Sequence, residues 1–87
     1  MASDKSQQAV CAQVARILRD ERERRGVSMN QLADSAGLSQ QMVSYVERGM
    51  RNPTLETLLR ITAALDIDLA QVIAAATKAV KKTARTK

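Results

Sequence analysis

No histidine, phenylalanine or tryptophan occurs in this chain, and tyrosine, cysteine and proline occur once each. Without histidine there is no imidazole to serve as a base, and one cysteine alone builds neither a metal cluster nor a thiol–imidazole dyad. Cys11 has no second cysteine to pair with and lies within a helical pattern, so it is expected as a buried or half-buried thiol in a reducing compartment. No apolar run is long enough for the hydrophobic region of a signal peptide or for a membrane span, so a cytoplasmic protein with no membrane partner is expected. The three glycines, Gly26, Gly37 and Gly49, each stand at the end of a helical pattern and form no phosphate-cradling loop. Asp20, Glu21 and Glu23 lie in a run of arginines and read as a solvated helix face. The expectation is therefore no enzyme, no cofactor and no metal.

What is present is aliphatic. Apolar residues make up 45% of the 87, nearly all of them Ala, Val, Leu, Ile and Met, with Tyr45 the single aromatic. Such a composition suits short, closely packed helices better than a sheet, which recruits aromatic and β-branched side chains. The length fits one small domain. The formal charge of +5 is unevenly spread, because Lys78, Lys81, Lys82, Arg85 and Lys87 all fall in 78–87, where there is no acid. The remainder, 1–77, balances 9 basic against 9 acidic residues. The high isoelectric point thus belongs to a basic tail, which reads either as a flexible source of non-specific phosphate attraction or as a solvated, disordered terminus.

Periodicity divides the chain into a flexible leader (1–6), a helical domain (7–77) and the basic tail (78–87). From about Gln7 to Arg25, Val10, Val14, Ile17 and Leu18 fall at i, i+4, i+7 and i+8, one face of a helix that Gly26 ends. Ser28 with Gln31 makes a capping-box pattern for a second helix, which runs to about Ser35 or Ala36, where Gly37 supplies a sharp turn. Ser39 caps a third helix over about 40–48, which Gly49 closes. Pro53 holds its neighbour extended and Thr54 starts a fourth helix, whose apolar stripe is read as Leu55, Leu58, Leu59, Thr62 and Leu65. After an Asp66–Ile67–Asp68 turn, a fifth helix from Leu69 carries Val72, Ile73, Ala76 and Val80. The expected fold is all-α, with five helices.

Residues 28–52 carry the functional pattern. In the second and third helices Leu32, Ala33, Ala36, Leu38, Val43 and Val46 can be buried, with Ala33 at the crossing and Gly37 at the tight turn. On the third helix Gln40, Gln41, Ser44, Tyr45 and Arg48 are left as one outward stripe. A helix of this kind fits the major groove of double-stranded DNA with its first residues reaching base edges.

The pattern resembles the helix–turn–helix family of the phage repressor and Cro proteins, over roughly residues 14–74. The resemblance runs through Leu18 and Arg22, Gly26–Val27–Ser28, Leu32–Ala33, Gly37, Ser39, Val43–Ser44, Glu47–Arg48–Gly49 and Asn52–Pro53–Thr54–Leu55, and on into the fourth helix. It implies a repressor-like DNA-binding domain in which Gln40 and Gln41 read bases and Ser44 faces the groove. Chemistry agrees, since a glutamine amide pairs with adenine N6 and N7 and can also donate to guanine. Tyr45 reads equally as a contact to a thymine methyl or a phosphate and as a cover for the aliphatic edge of the domain. By matching position, Arg22 and Glu47 form a partly buried salt bridge between the first and third helices. Ser28, Asn30, Ser39, Arg48, Arg51 and Asn52 are candidate phosphate contacts, Arg51 foremost.

Two positions depart from the family. Members often carry glutamine at the start of the second helix, supporting a base reader, where this chain has Met29; Met50 stands at a loop position that is commonly basic. One recognition helix reads only a few base pairs, so a homodimer on a pseudo-palindromic operator is expected, with half-sites about 34 Å apart. Its interface is read as Leu69, Val72, Ile73, Ala76 and Val80 on the fifth helix, a stripe longer than the domain's own core needs; the other reading is that this helix simply completes the monomer core. The leading reading is a transcriptional repressor. An antitoxin-like protein with a toxin as protein partner and a restriction–modification controller are the alternatives.

Overall fold

The computed structural model describes residues 3–50 and 52–85. It folds them into α1 (Ser3–Arg24), α2 (Met29–Ala36), α3 (Gln40–Glu47), α4 (Leu55–Ala64) and α5 (Leu69–Arg85), with no strand among the described residues. The all-α, five-helix expectation is met. Helices α2 and α3 form the helix–turn–helix; α1 packs on α5 and α3, and α4 packs on α2 and α5.

Local chemistry starts α2 to α5 and stops α1 to α4. Ser28 and Gln31 cap α2 reciprocally, with the Gln31 amide donating to Ser28 Oγ (3.0 Å) and the Ser28 amide donating to Gln31 Oε1 (2.9 Å). Ser39 Oγ accepts from the Met42 amide (3.0 Å), Thr54 Oγ1 from the Thr57 amide (3.1 Å) and Asp68 Oδ1 from the Ala70 amide (3.0 Å). The helix ends share one closure. Val27, Leu38, Met50 and Ile67 each donate an amide hydrogen bond to the carbonyl five residues back, at 3.1, 2.9, 3.1 and 2.9 Å. That bond requires the preceding residue to turn left-handed. Gly37 does so at φ +71°, and at the corresponding place after α4 stands Asp66, at φ +59°.

The core is built where the five helices meet. Val14 and Leu18 of α1, Leu32 and Ala33 of α2, Val43 and Val46 of α3, Ile61 of α4, the adjoining Leu65, and Leu69, Val72 and Ala76 of α5 are its buried members. Small side chains at Ala33 and Ala76 let helix backbones approach closely. Several expectations change here. Helix α1 already includes Ser3–Ser6, most of the stretch read as a leader, while Met1 and Ala2 lie outside the described residues. Helix α5 continues through Arg85, so Lys78, Lys81 and Lys82 stand on a helix and not on a loose tail; Thr86 and Lys87 are outside the described residues. The reason is local, since the alanines of this stretch favour helix and Ala79 and Val80 are half-buried. Cys11 is exposed although it shares the inward face of α1 with Val14, Ala15 and Leu18, because toward the start of that helix this face borders an open groove lined by Val46, Pro53, Leu58 and Ile73. On α4, Ile61 and Thr62 are buried and Leu58 half-buried, whereas Leu55 (64% exposed) and Leu59 (50%) face out. Helix α4 is apolar around most of its circumference, so the pattern alone did not select the inward face.

The shared closure makes opposite predictions at its two ends. Gly37→Ala is expected to lower stability by about 1–2 kcal/mol, the cost of a left-handed L-residue. A Cβ there would also lie 3.0 Å from Arg60 Nη1. Asp66→Gly relieves the same strain and is expected to raise stability by up to about 1 kcal/mol. Urea unfolding of both variants tests this; a loss at Asp66→Gly would contradict it.

Candidate nucleic-acid interface

Helix α3 is held from behind. Val43 is fully buried, and Val46 (3% exposed) and Glu47 (8%) fix the same face toward α1 and α2. With that face committed, Gln40, Gln41 and Arg48 are exposed and Ser44 and Tyr45 are half-buried. The stripe begins where the Ser39 cap leaves the first turn of α3 open to solvent. Within it, Gln41 Nε2 donates a hydrogen bond to the Tyr45 hydroxyl oxygen at 2.9 Å, an i, i+4 pair along one side of the helix.

The other candidates surround this stripe on three segments. Ser28 and Asn30 are exposed at the start of α2, Ser39 at the start of α3 and Asn52 in the loop before α4. Ser28 and Ser39 each accept a capping amide bond, and a hydroxyl that accepts keeps its own O–H to donate. Arg51 lies outside the described residues. Most arginines of the body are engaged with acids: Arg19 with Glu23 (3.3 Å), Arg24 and Arg25 with Glu21 (2.7 and 3.2 Å), and Arg60 with Glu56 (3.0 Å). Arg48 forms no ion pair among the described residues.

Arg22 and Glu47 are joined deep between α1 and α3. Arg22 Nε donates to Glu47 Oε2 at 2.6 Å and Nη2 to Glu47 Oε1 at 3.1 Å, with the two side chains 10% and 5% exposed. The third guanidinium nitrogen, Nη1, donates to the Val27 carbonyl at 2.8 Å, so one side chain ties α1, the α1–α2 connection and α3 together. Hydrogen bonding to the Glu47 carboxylate raises the Arg22 pKa further, against an opposing contribution from burial.

One contributor to the geometry was not singled out in the sequence. Arg60 of α4 reaches the turn of the helix–turn–helix, where Nη1 donates to the Ala36 carbonyl at 3.4 Å. A cation at the C-terminus of α2 also complements that helix's dipole. The only sequence signal was a basic residue in an otherwise apolar run, and nothing local says which carbonyl it meets. Of the residues expected at a dimer interface, Leu69, Val72 and Ala76 are buried inside the chain, Val80 is half-buried and Ile73 is 40% exposed.

Residues 18–72 match the model of the family described as helix-turn-helix. Over 70 residues the chain is 37% identical to the HTH-type transcriptional regulator SlrR of Bacillus subtilis, covering 79% of this chain and 46% of that one. Over 56 residues it is 34% identical to the HTH-type transcriptional regulator SutR of Escherichia coli, covering 64% of this chain and 32% of that one. The chain thus spans less than half the length of either relative. Among solved structures it is similar to the restriction-modification controller protein C.AhdI from Aeromonas hydrophila, with a TM-score of 0.67 and 35% identity, covering 72% of this chain and 94% of that one. It is also similar to the clp gene regulator ClgR from Corynebacterium glutamicum, with a TM-score of 0.73 and 28% identity, covering 79% and 88%.

The buried pair predicts a non-additive mutant series. Glu47→Ala leaves a guanidinium in a dry site and is expected to cost about 3–5 kcal/mol, whereas Arg22→Met with Glu47→Leu recovers most of that loss. Urea midpoints of the single and double variants measure the difference. Simple additivity would show that the two side chains do not act as a pair.

Proposed function

The chain belongs to the helix-turn-helix family, and from that membership we propose that it is a sequence-specific DNA-binding transcriptional regulator whose α3 enters the major groove. The observation that carries this reading is the polar stripe of α3, where Gln40 and Gln41 are exposed at the start of a helix whose opposite face is locked in the core. In this reading Gln40 and Gln41 read base edges and Ser44 and Tyr45 line the groove. Ser28, Asn30, Ser39, Arg48, Arg51 and Asn52 hold the flanking phosphates. Arg22 and Glu47 keep α3 in place without touching DNA. The activity is binding alone, with no catalytic step and no cofactor, and a chromosomal target puts it in the cytoplasm. Basic residues on the last turns of α5 supply the sequence-independent share of affinity.

Repression by a homodimer is the simplest form of this activity. Because Leu69, Val72 and Ala76 are spent on the chain's own core, the dimer face proposed is the outer side of α4 and α5. Leu55 and Leu59 stand one turn apart on α4, and Leu59 and Ile73 line one shallow depression together with Ala63 and Ala70. Three exposed aliphatics on one side of a small domain suit a self-complementary two-fold contact. A second reading is favoured by one observation. The restriction-modification controller C.AhdI is matched over 94% of its length, so control of such a system is a specific form of the same activity. A nuclease and methylase pair beside the gene would support it.

Selection of bound sequences from a random DNA library is expected to return a pseudo-palindrome with half-sites about one helical turn apart. Gln40→Ala is expected to cost about 1–3 kcal/mol at that site and to relax the preference at one base pair in each half. Recovery of no preferred sequence at all would defeat the proposal. For the dimer, light scattering at concentrations on the order of tens of micromolar is expected to give twice the chain mass, and Leu59→Asp to give the monomer without loss of helical content. A monomeric parent that still binds a single half-site would remove the dimer from the account.

A further inference from the structure

We infer that Tyr45 is a specificity-determining residue that acts through Gln41, fixing the Gln41 amide in the orientation that reads adenine and rejects guanine. The inference deepens the proposed function and rests on it, since it concerns what α3 reads once it lies in the groove.

A glutamine amide offers two N–H donors on Nε2 and one acceptor oxygen, Oε1. Left to rotate, it can present a donor and an acceptor side by side or turn its donors outward. These faces suit different bases. Adenine shows the acceptor N7 next to the donor N6, whereas guanine shows two acceptors, N7 and O6. An unconstrained glutamine therefore serves both purines. In this structure Gln41 Nε2 donates to the Tyr45 hydroxyl oxygen at 2.9 Å. That bond commits one of the two N–H groups and sets the direction of the other. What remains is one N–H and the carbonyl oxygen, a donor beside an acceptor, which complements adenine. Against guanine the same orientation sets Oε1 against O6, two acceptors with no proton between them. Discrimination then comes from repulsion of the wrong base as well as attraction of the right one.

Two further observations support this division of labour. Gln40, the neighbouring reader, has no side-chain hydrogen bond among the described residues, so the constraint applies to one of the two glutamines only. Met29, at the start of α2, is half-buried against the core and offers no donor and only a weak thioether acceptor toward an amide on α3. The orienting group for Gln41 is the one on its own helix, a turn further on. The bond is exposed in the free protein and competes with water there. It strengthens when the groove excludes solvent, which is when the reading takes place.

The test compares library selections for the parent, Gln41→Ala, Tyr45→Phe and the double variant, all as full-length chains. Gln41→Ala identifies the base pair that Gln41 reads, as the one position whose preference it abolishes. At that position the parent is expected to favour adenine over guanine by about tenfold. Tyr45→Phe keeps the ring but removes the hydroxyl; it is expected to bind the two bases within about threefold of each other, with the Gln40 position unaltered. The double variant is expected to match Gln41→Ala there, because Tyr45 acts only through the amide. A structural readout accompanies these: the Gln41 side-chain amide proton resonances in the free protein shift in Tyr45→Phe while the unfolding midpoint stays near that of the parent. An unchanged adenine preference in Tyr45→Phe overturns the inference, as does a weakening that is equal for all sequences. If the parent selects no sequence, the proposed function falls and the inference with it; if the parent selects a site that Tyr45→Phe reads identically, only the inference falls.

Discussion

The bond between Arg22 and Glu47 is the interaction on which the rest of this structure depends. Helix α3 is only eight residues long, too short to hold its own shape or orientation in water, so its position must come from outside. Val43 and Val46 supply attraction to the core, but dispersion contacts have little directional preference. The bidentate bonds from Arg22 to Glu47 do have direction, and they fix the C-terminal end of α3 against α1 in one rotational setting. At the other end, Gly37 and the Leu38–Ala33 hydrogen bond set the angle at which α3 leaves α2. A buried pair of charges is costly to desolvate and adds little net stability compared with apolar side chains. What it contributes here is orientation, holding α3 at the rotation that leaves Gln40 and Gln41 on the outward side.

The same accounting of charge explains how this domain can bind DNA with a neutral body. Nine basic and nine acidic residues occupy 1–77, and Arg19, Arg22, Arg24, Arg25 and Arg60 are each joined to a carboxylate. These arginines shape helices and connections; they do not form a basic surface. Affinity in the proposed complex must therefore rest on placed donors: capping serines, amides at helix starts, and the glutamines. Of the five basic residues in 78–87, Lys78, Lys81, Lys82 and Arg85 belong to α5, away from the helix–turn–helix in sequence. In the proposed complex the placed contacts to bases and phosphates would thus come from the helix–turn–helix, and the bulk attraction of charge from α5.

Much of the fold was legible because its signals are local. Ser28 with Gln31, Ser39, Thr54 and Asp68 act within three residues of themselves, and all cap the helices they were expected to start. What escaped the sequence reading depended on distant partners or on an ambiguous period. In α4, both the stripe through Leu55, Leu59 and Thr62 and the stripe through Leu58, Ile61, Thr62 and Leu65 are good helical faces. Only the position of α2 and α5 decides that the second faces inward. Cys11 is exposed for a related reason: it lies on the inward face of α1, but the groove that face borders there is left open, which depends on distant elements. On α5, the aliphatic stripe looked surplus to a monomer because the reading could not see that α1 lies along it. Arg60 shows the limit most sharply: its partner Glu56 is one turn away, but the Ala36 carbonyl is 24 residues distant.

Frame and reading surface are consequently separable in this molecule. Gln40, Gln41, Ser44 and Tyr45 are absent from the buried core, Gln40 and Gln41 being exposed and Ser44 and Tyr45 half-buried. The Gln41–Tyr45 bond lies wholly within that surface and ties two of these positions together while leaving the frame untouched. In the proposed complex a change at either position would alter the chemistry presented to a base, whereas a change at Arg22, Ala33, Gly37 or Glu47 would alter where every base contact falls. The second group would then set geometry and the first preference. Because α4 and α5 pack on the same core that holds α3, any pairing of two copies across Leu55, Leu59 and Ile73 would transmit its geometry rigidly to both recognition helices. Spacing between half-sites would then be a property of the core itself, and the base sequence within each half a property of four side chains on one face of α3.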